Sequence, residues 1–362
     1  MSSKEYVKVG EELTLNYGKS LPARDRITGQ YEVVGSNGVV DRHNQFAMEG
    51  PGIVVGRKGS VGALTWLANN FWAIDTTYYA SLNGEGDLKY WYYQLSDLKL
   101  DTLNSHAAVP GLNRDNVYRI EVLKRSRVEQ EKIAKILGDL DRKIELNRQM
   151  NETLEQIGQT LFKKYFVDSL ESGGWKNSEI SEIAEHVKIS RKPQEEPDDD
   201  FLQYSIPAFD SGLTPEVSVG SKIMSNKYQV IENSILVSKL NPSTPRVWPV
   251  FNAEKNAVCS TEFVVLKPKK YYAFIYFLLN SRLYKETMIA AAGGTSNSHK
   301  RVSPGFITSF AFPTPPSELL DSFEAAAHNL IYKQQLNISE TVTLSKLRDS
   351  LLPKLISGEI KV

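Results

Sequence analysis

The densest concentration of chemistry in the chain is the run "GPGIVVGRKGSVG" from Gly50, where glycines flank Arg57, Lys58 and Ser60. Glycine-rich loops with adjacent cations cradle phosphate, because bare backbone N–H groups and basic side chains can converge on one oxyanion. A nucleotide P-loop requires G-x-x-x-x-G-K-[ST]. Here Gly52 is followed five positions later by Arg57, and Lys58 precedes Gly59, so the pattern fails. A dinucleotide fingerprint must open a helix, whereas "GPGIVVG" turns strand-like after its second glycine. The better fit is a strand that ends in a glycine turn and lifts Arg57, Lys58 and Ser60 off a sheet. Such donors suit a DNA phosphate, and Arg or Lys also reaches guanine edges. The plain alternative is a surface turn with two solvated charges. A second loop, "ENSILVSKLNPSTPRVW", carries Lys239, Asn241, Ser243, Thr244 and Arg246 in a comparable place.

Catalytic signatures are missing. The five histidines lack metal-ligand spacing with Cys259 or with carboxylates. No G-x-S-x-G elbow occurs. "TPPSE" at Thr314 lacks the Asn or Asp and the aromatic of a base-methyltransferase motif, and "PDDDF" at Pro197 lacks the Glu-x-Lys that completes a nuclease metal site. Asp75 beside Thr76 reads as a hydrogen-bonding group internal to the fold.

What positions these loops is a repeated plan. Helical spacing of apolar residues predicts one long helix from about Arg127 to Val167 and another from about Ser317 to Ser357. The first opens with Ser126 and Glu129, the spacing of a capping box. Its apolar positions include Ile133, Ile136, Leu137, Leu140, Ile144, Met150, Leu154, Ile157 and Leu161. Pro353 is expected to kink or end the second helix. Shifted by 190 positions, Ile133 falls on Phe323, Leu140 on Leu330, Leu154 on Leu344, Ile157 on Leu347 and Asn147 on Asn337. A polar residue inside an apolar seam sets helix register, and in an antiparallel pair these two asparagines would meet near the midpoint. The alternative is that both face water. Ahead of each helix, Ile53–Arg57 aligns with Ile235–Lys239, and "AIDTTYY" with "AVCSTEF", which places Thr76-Thr77 on Ser260-Thr261. Short β-branched runs bounded by Gly, Asn and Pro read as strands and turns. The expected fold is therefore α/β: two mixed α/β globular pieces with small twisted sheets, separated by two long helices forming an antiparallel coiled coil, a pseudo-twofold internal repeat.

The chain has 362 residues, enough for two domains. Its formal net charge is zero, which counts against a free-standing DNA binder and fits a subunit whose grip on DNA is shared within a complex. Its single cysteine, Cys259, permits no internal disulfide and points to the cytoplasm. No leader-like segment opens the chain, and the longest apolar run, "YYAFIYFLL", is about half a membrane span.

Taken together, "VKVGEELTLNYGKSLPARDR", "YEVVGSNGVVDRHN", "GPGIVVGRKGSVG", "FWAIDTTYY", the first long helix ending in "LFKKYFVD", and "LRDSLLPKLISGEI" resemble the specificity subunits of type I restriction–modification systems over nearly the whole chain. The resemblance implies a target recognition domain at 1–125, a spacer helix at 126–170, a second recognition domain at 171–316 and a second spacer helix at 317–362. It implies that each domain reads half of a bipartite site in double-stranded DNA. The helices would set the spacing and dock two modification (methyltransferase) subunits, with ATP-dependent restriction subunits as further partners. It implies no cofactor and no catalysis by this chain alone. The entry to the second half, "EISEIAEHVKI", departs from the "GKSLPARDR" of the first, which fits different half-sites. Candidate base or phosphate contacts are Lys19, Arg24, Asn37, Arg57, Lys58, Ser60 and Arg114 in the first domain. In the second they are Lys239, Asn241, Thr244, Arg246, Ser298, Lys300 and Arg301. A non-catalytic coiled-coil adaptor for protein partners is the main competing reading, and a nuclease with an unrecognised site is another.

Overall fold

Strand Gly52–Gly56 is buried along its whole length, and its alternating side chains serve two cores. Ile53 and Val55 face a core that includes Leu13, Trp91, Ile133 and Leu355. Val54, pointing the other way, packs with Val34, Met48, Leu67 and Phe71. A strand covered on both faces needs an unbroken apolar run, which is why period-2 alternation is absent here. The computed structural model describes residues 5–103, 111–168, 175–293 and 300–362. The chain forms two compact units, residues 1–143 with 344–362, and residues 144–343.

In the first unit a four-stranded sheet runs in the order Leu13–Tyr17, Thr77–Leu82, Gly52–Gly56, Leu64–Leu67. A three-stranded sheet pairs Tyr31–Gly35 antiparallel with Gly38–His43 and parallel with Phe71–Ala73. Tyr6–Lys8 and Glu121–Leu123 close the lobe as an antiparallel pair. In the second unit the four-stranded order is Ala184–Val187, Phe263–Pro268, Ser234–Ser238, Val247–Val250. A five-stranded sheet contains the corresponding parallel pair, Asp200–Tyr204 with Ala257–Ser260. Asn177–Glu179 and Ala311–Pro313 close that lobe. Ile235 and Val237 face one core and Leu236 another, as their counterparts do. The two lobes thus share a common topology, to which the second adds the strands Ser190–Arg191 and Lys227–Gln229.

One detail of the expected repeat is corrected. Arg57 N donates to Thr76 O (3.0 Å), and Lys239 N donates to Glu262 O (2.8 Å). With Arg57 equivalent to Lys239, Thr76 corresponds to Glu262 rather than to Ser260. The slip is two residues, one full strand period, so the alternation of side chains is unchanged by it.

The first long helix spans Arg127–Phe162 and continues as a π-helical turn, Lys163–Val167. Its capping box is formed: Glu129 N donates to Ser126 Oγ (3.3 Å), and Ser126 N donates to Glu129 Oε2 (3.0 Å). The second helix spans Ser317–Ser357. It passes through Pro353 for another turn instead of ending there, and stops where Gly358 adopts φ +76°, a left-handed conformation that favours glycine.

Within each unit the two helices pair antiparallel. In the first unit, Arg348 donates to Asp141 (2.9 Å) and Arg125 to the Leu355 carbonyl (2.9 Å). In the second, Asn147 and Asn337 are each only 1% exposed. Asn147 Nδ2 donates to Glu340 (2.9 Å) and to the Asn337 carbonyl (3.4 Å), while Asn337 Nδ2 donates to Asn151 Oδ1 (2.8 Å). The asparagines meet, and neither faces water. The apolar positions do not all line the seam: Ile136, Met150 and Ile157 are exposed.

Candidate nucleic-acid interface

In the first lobe, the expected glycine turn follows strand Gly52–Gly56. Gly59 has φ +83° and Gly62 φ +77°, so the chain reverses just after Arg57 and Lys58, with Ser60 between the two glycines. Lys58 and Ser60 are exposed. Ser60 Oγ donates to Asn37 Oδ1 (3.3 Å), bringing together two candidates 23 residues apart. The loop is anchored on its far side by Leu112 N donating to Arg57 O (2.9 Å) and by a bridge between Lys58 and Gly111. Asn113, whose side chain accepts from Asp115 N, caps the short helix that carries Arg114.

Arg57 Cζ lies 5.3 Å from the Tyr17 ring centroid and 5.9 Å from that of Tyr78, and Arg114 Cζ lies 5.2 Å from Tyr17. Arg57 donates to the Asp75 carbonyl (2.6 Å), so Asp75 serves through its backbone. Burial and the neighbouring Tyr17 push the Tyr78 hydroxyl up to about 12, which keeps it a neutral donor to the Leu112 carbonyl (3.2 Å). Lys19 and Arg24 are exposed, and the Lys19 carbonyl accepts from Trp72 Nε1 (2.9 Å). The structure thus groups Asn37, Arg57, Lys58, Ser60 and Arg114; no hydrogen bond links Lys19 or Arg24 to that group among the described residues.

Tyr17 is a participant the sequence reading passed over. It ends strand Leu13–Tyr17 on the face occupied by Leu13 and Leu15, but the core stops short of it, leaving the ring open. Gly18 follows because a Cβ there would strike the Ile74 carbonyl. An aromatic at a strand end beside an obligate glycine was the available signal.

The second lobe repeats the skeleton. Val302 N donates to Lys239 O (3.0 Å), Leu240 bridges Arg301, and Ser303 caps the following short helix. Asn241, at φ +53°, donates its N–H to Lys300 O (2.8 Å) and accepts from Ser243 Oγ (2.7 Å) and from Thr244 N (2.9 Å). Its cations are differently employed. Arg246 is engaged by Asp210 through two bonds (2.7 and 2.8 Å), and that bonding holds the Asp210 carboxyl below its ordinary value. Arg301 pairs with Glu262 (3.2 Å). Lys239 and Lys300 have no carboxylate partner among the described residues. Ser298 lies outside the described residues. Asp210 and Glu262 sit 36 and 39 residues from their arginines, too far for any local pattern to reveal.

Among the described residues no group of three or more His, Cys, Asp or Glu side chains is placed to hold a metal ion, and no helix is long and apolar enough to cross a membrane.

The family model for the type I restriction modification DNA specificity domain matches residues 1–156 and 172–345. The type I restriction enzyme MjaIX specificity subunit of Methanocaldococcus jannaschii is 27% identical over 292 residues, covering 73% of this chain and 66% of that one. The HindI specificity subunit of Haemophilus influenzae is 24% identical over 332 residues, covering 69% of this chain and 71% of the other. Among solved structures, the type I restriction–modification S subunit from M. genitalium has the same fold, with a TM-score of 0.68 at 18% identity, covering 98% of this chain and 97% of that one.

Proposed function

Because the chain belongs to the type I restriction modification DNA specificity domain family, we propose that it reads a bipartite site in double-stranded DNA for a cytoplasmic restriction–modification complex. Each lobe takes one half-site, the helical pair sets the spacing, and the chain itself performs no catalysis. The observation that carries this reading is the duplicated basic loop, Arg57–Ser60 in one lobe and Lys239–Arg246 in the other, hung on the same backbone hydrogen bonds. Both loops offer donors to phosphates and base edges. Joining two modest readers makes the second contact intramolecular and raises overall affinity.

Methyltransferase subunits supply the adenine chemistry in this reading, and restriction subunits join them for ATP-dependent translocation and cleavage. Docking of two identical partners is supported by exposed apolar residues that recur at the 190-residue shift: Leu146 with Leu336, and Ile157 with Leu347. Placing a charge at Leu146 and Leu336 together is expected to abolish copurification of the methyltransferase subunits. The principal test maps methylated adenines in DNA from cells carrying the chain with its partners. A two-part motif with a constant gap is expected, and methylation independent of sequence would defeat the reading.

A further inference from the structure

We infer that Arg57 and Arg114 form a clamp for the acceptor oxygens of duplex DNA, that Tyr17 is its positioning residue, and that the clamp makes the first lobe the more salt-sensitive reader. This rests on the DNA-reading role proposed above. A single exposed ring, that of Tyr17, stands about 5 Å from both guanidinium carbons. Cation–π attraction holds a cation over an aromatic face without neutralising it. Neither arginine has a carboxylate partner among the described residues. Arg57 is oriented by its bond to the Asp75 carbonyl, and its Nε is buried with no partner. Two like charges are therefore drawn to one ring and left without a counter-anion. Tyr17 is 53% exposed, so the pair is open to an incoming anion.

In the second lobe Lys239 and Lys300 have no carboxylate partner among the described residues, but the arginines show the contrary arrangement. Arg246 and Arg301 are already held by Asp210 and Glu262. A phosphate arriving there must displace a carboxylate of the chain, and fewer counterions are released. Each phosphate neutralised by a free cation contributes about −0.9 to the slope of log K against log salt.

The test uses the full chain with its methyltransferase partners and a duplex bearing the site mapped by methylation, titrated between about 50 and 200 mM salt. Tyr17→Leu is expected to weaken binding about tenfold and to flatten the slope by about 1, while Tyr17→Phe, which keeps the ring, restores both. Glu262→Gln, which frees Arg301, is expected to steepen the slope. Equal loss on every duplex assigns the clamp to phosphate, and lost discrimination at one base pair assigns it to a guanine edge. An unchanged slope in Tyr17→Leu, or the same loss in Tyr17→Phe, overturns the inference. If Tyr17→Leu lowers the melting temperature, Arg114→Gln replaces it, with the same flattening expected and an unchanged slope again overturning the clamp. Should the unaltered protein fail to prefer its mapped site over a scrambled duplex, the DNA-reading role itself fails, a separate result.

Discussion

The two lobes have one backbone plan and two solutions for seating it on the helices. In the first unit Ile133, Leu137 and Leu355 of the helices join an apolar core, and a polar cluster is added beside it. Tyr93 donates to Asp141 (2.5 Å), Arg348 donates to the same carboxylate, and Lys89 sits over Trp66, Tyr92 and Tyr93 at 4.2, 4.6 and 5.2 Å. In the second unit the positions 190 residues away are apolar or vacant: Ile331 stands where Asp141 does, and Gly158 where Arg348 does. Phe277 packs directly on Gly158, and Phe323 joins Phe162, Tyr165, Phe166 and Phe277 in one aromatic cluster. The loops differ as the seats do, with free arginines in one lobe and paired arginines in the other. A duplicated fold therefore preserves backbone hydrogen bonds more strictly than side-chain electrostatics, because each backbone group must be satisfied whereas several side-chain arrangements serve equally.

The aromatic cluster is expected to make the second seat the stronger one. Phe323→Ala is expected to cost about 4 kcal/mol, and its repeat partner Ile133→Ala about 3 kcal/mol. Both residues are fully buried, so denaturant unfolding followed by amide exchange in each unit measures the difference. The reverse order would show that the first seat carries the greater packing energy.

A vacant position can then be filled. Gly158→Val places a methyl-bearing Cβ on the Phe277 ring, and a destabilisation of about 3 kcal/mol is expected from the resulting overpacking. Thermal melting checks this. An unaffected midpoint would mean that the close approach at Gly158 is not what distinguishes the second seat.

The paired asparagines are a feature that both helices share. Asn147→Ala deletes donors to Asn337, Glu340 and Thr341, at an expected cost of about 1–2 kcal/mol. Replacing both asparagines by leucine is expected to recover stability at the expense of register, seen as doubled amide resonances in the helices. A single set of resonances would remove the register role.

The smallest effect concerns pH. Burial pushes the Lys89 amine down to about 8, against the pull of Asp141 and Asp87. A lysine whose folded value lies below its unfolded one burdens the folded state at neutral pH, and the burden lifts as pH rises from about 8 toward the ordinary lysine range. Lys89→Met is expected to raise the melting midpoint slightly at pH 7, and that gain is expected to fade as pH rises from about 8 toward the ordinary lysine range. A parallel pH profile in the variant would show that Lys89 is solvated like any surface lysine.

The duplication, the span of both helices, the Ser126–Glu129 cap and the meeting of Asn147 with Asn337 were legible in the sequence, because each follows from spacing along a single helix or from one constant shift. The loops at Arg57 and Lys239 were legible as loops for the same reason. Only the tertiary structure decided that Thr76 matches Glu262, since a strand slipped by two residues keeps every side chain on its face. It alone gave Arg246 and Arg301 their carboxylates and set Tyr17 against two arginines. Those neighbours are brought together by the closing of sheets and loops far apart in the chain, and nothing in local periodicity encodes such a meeting.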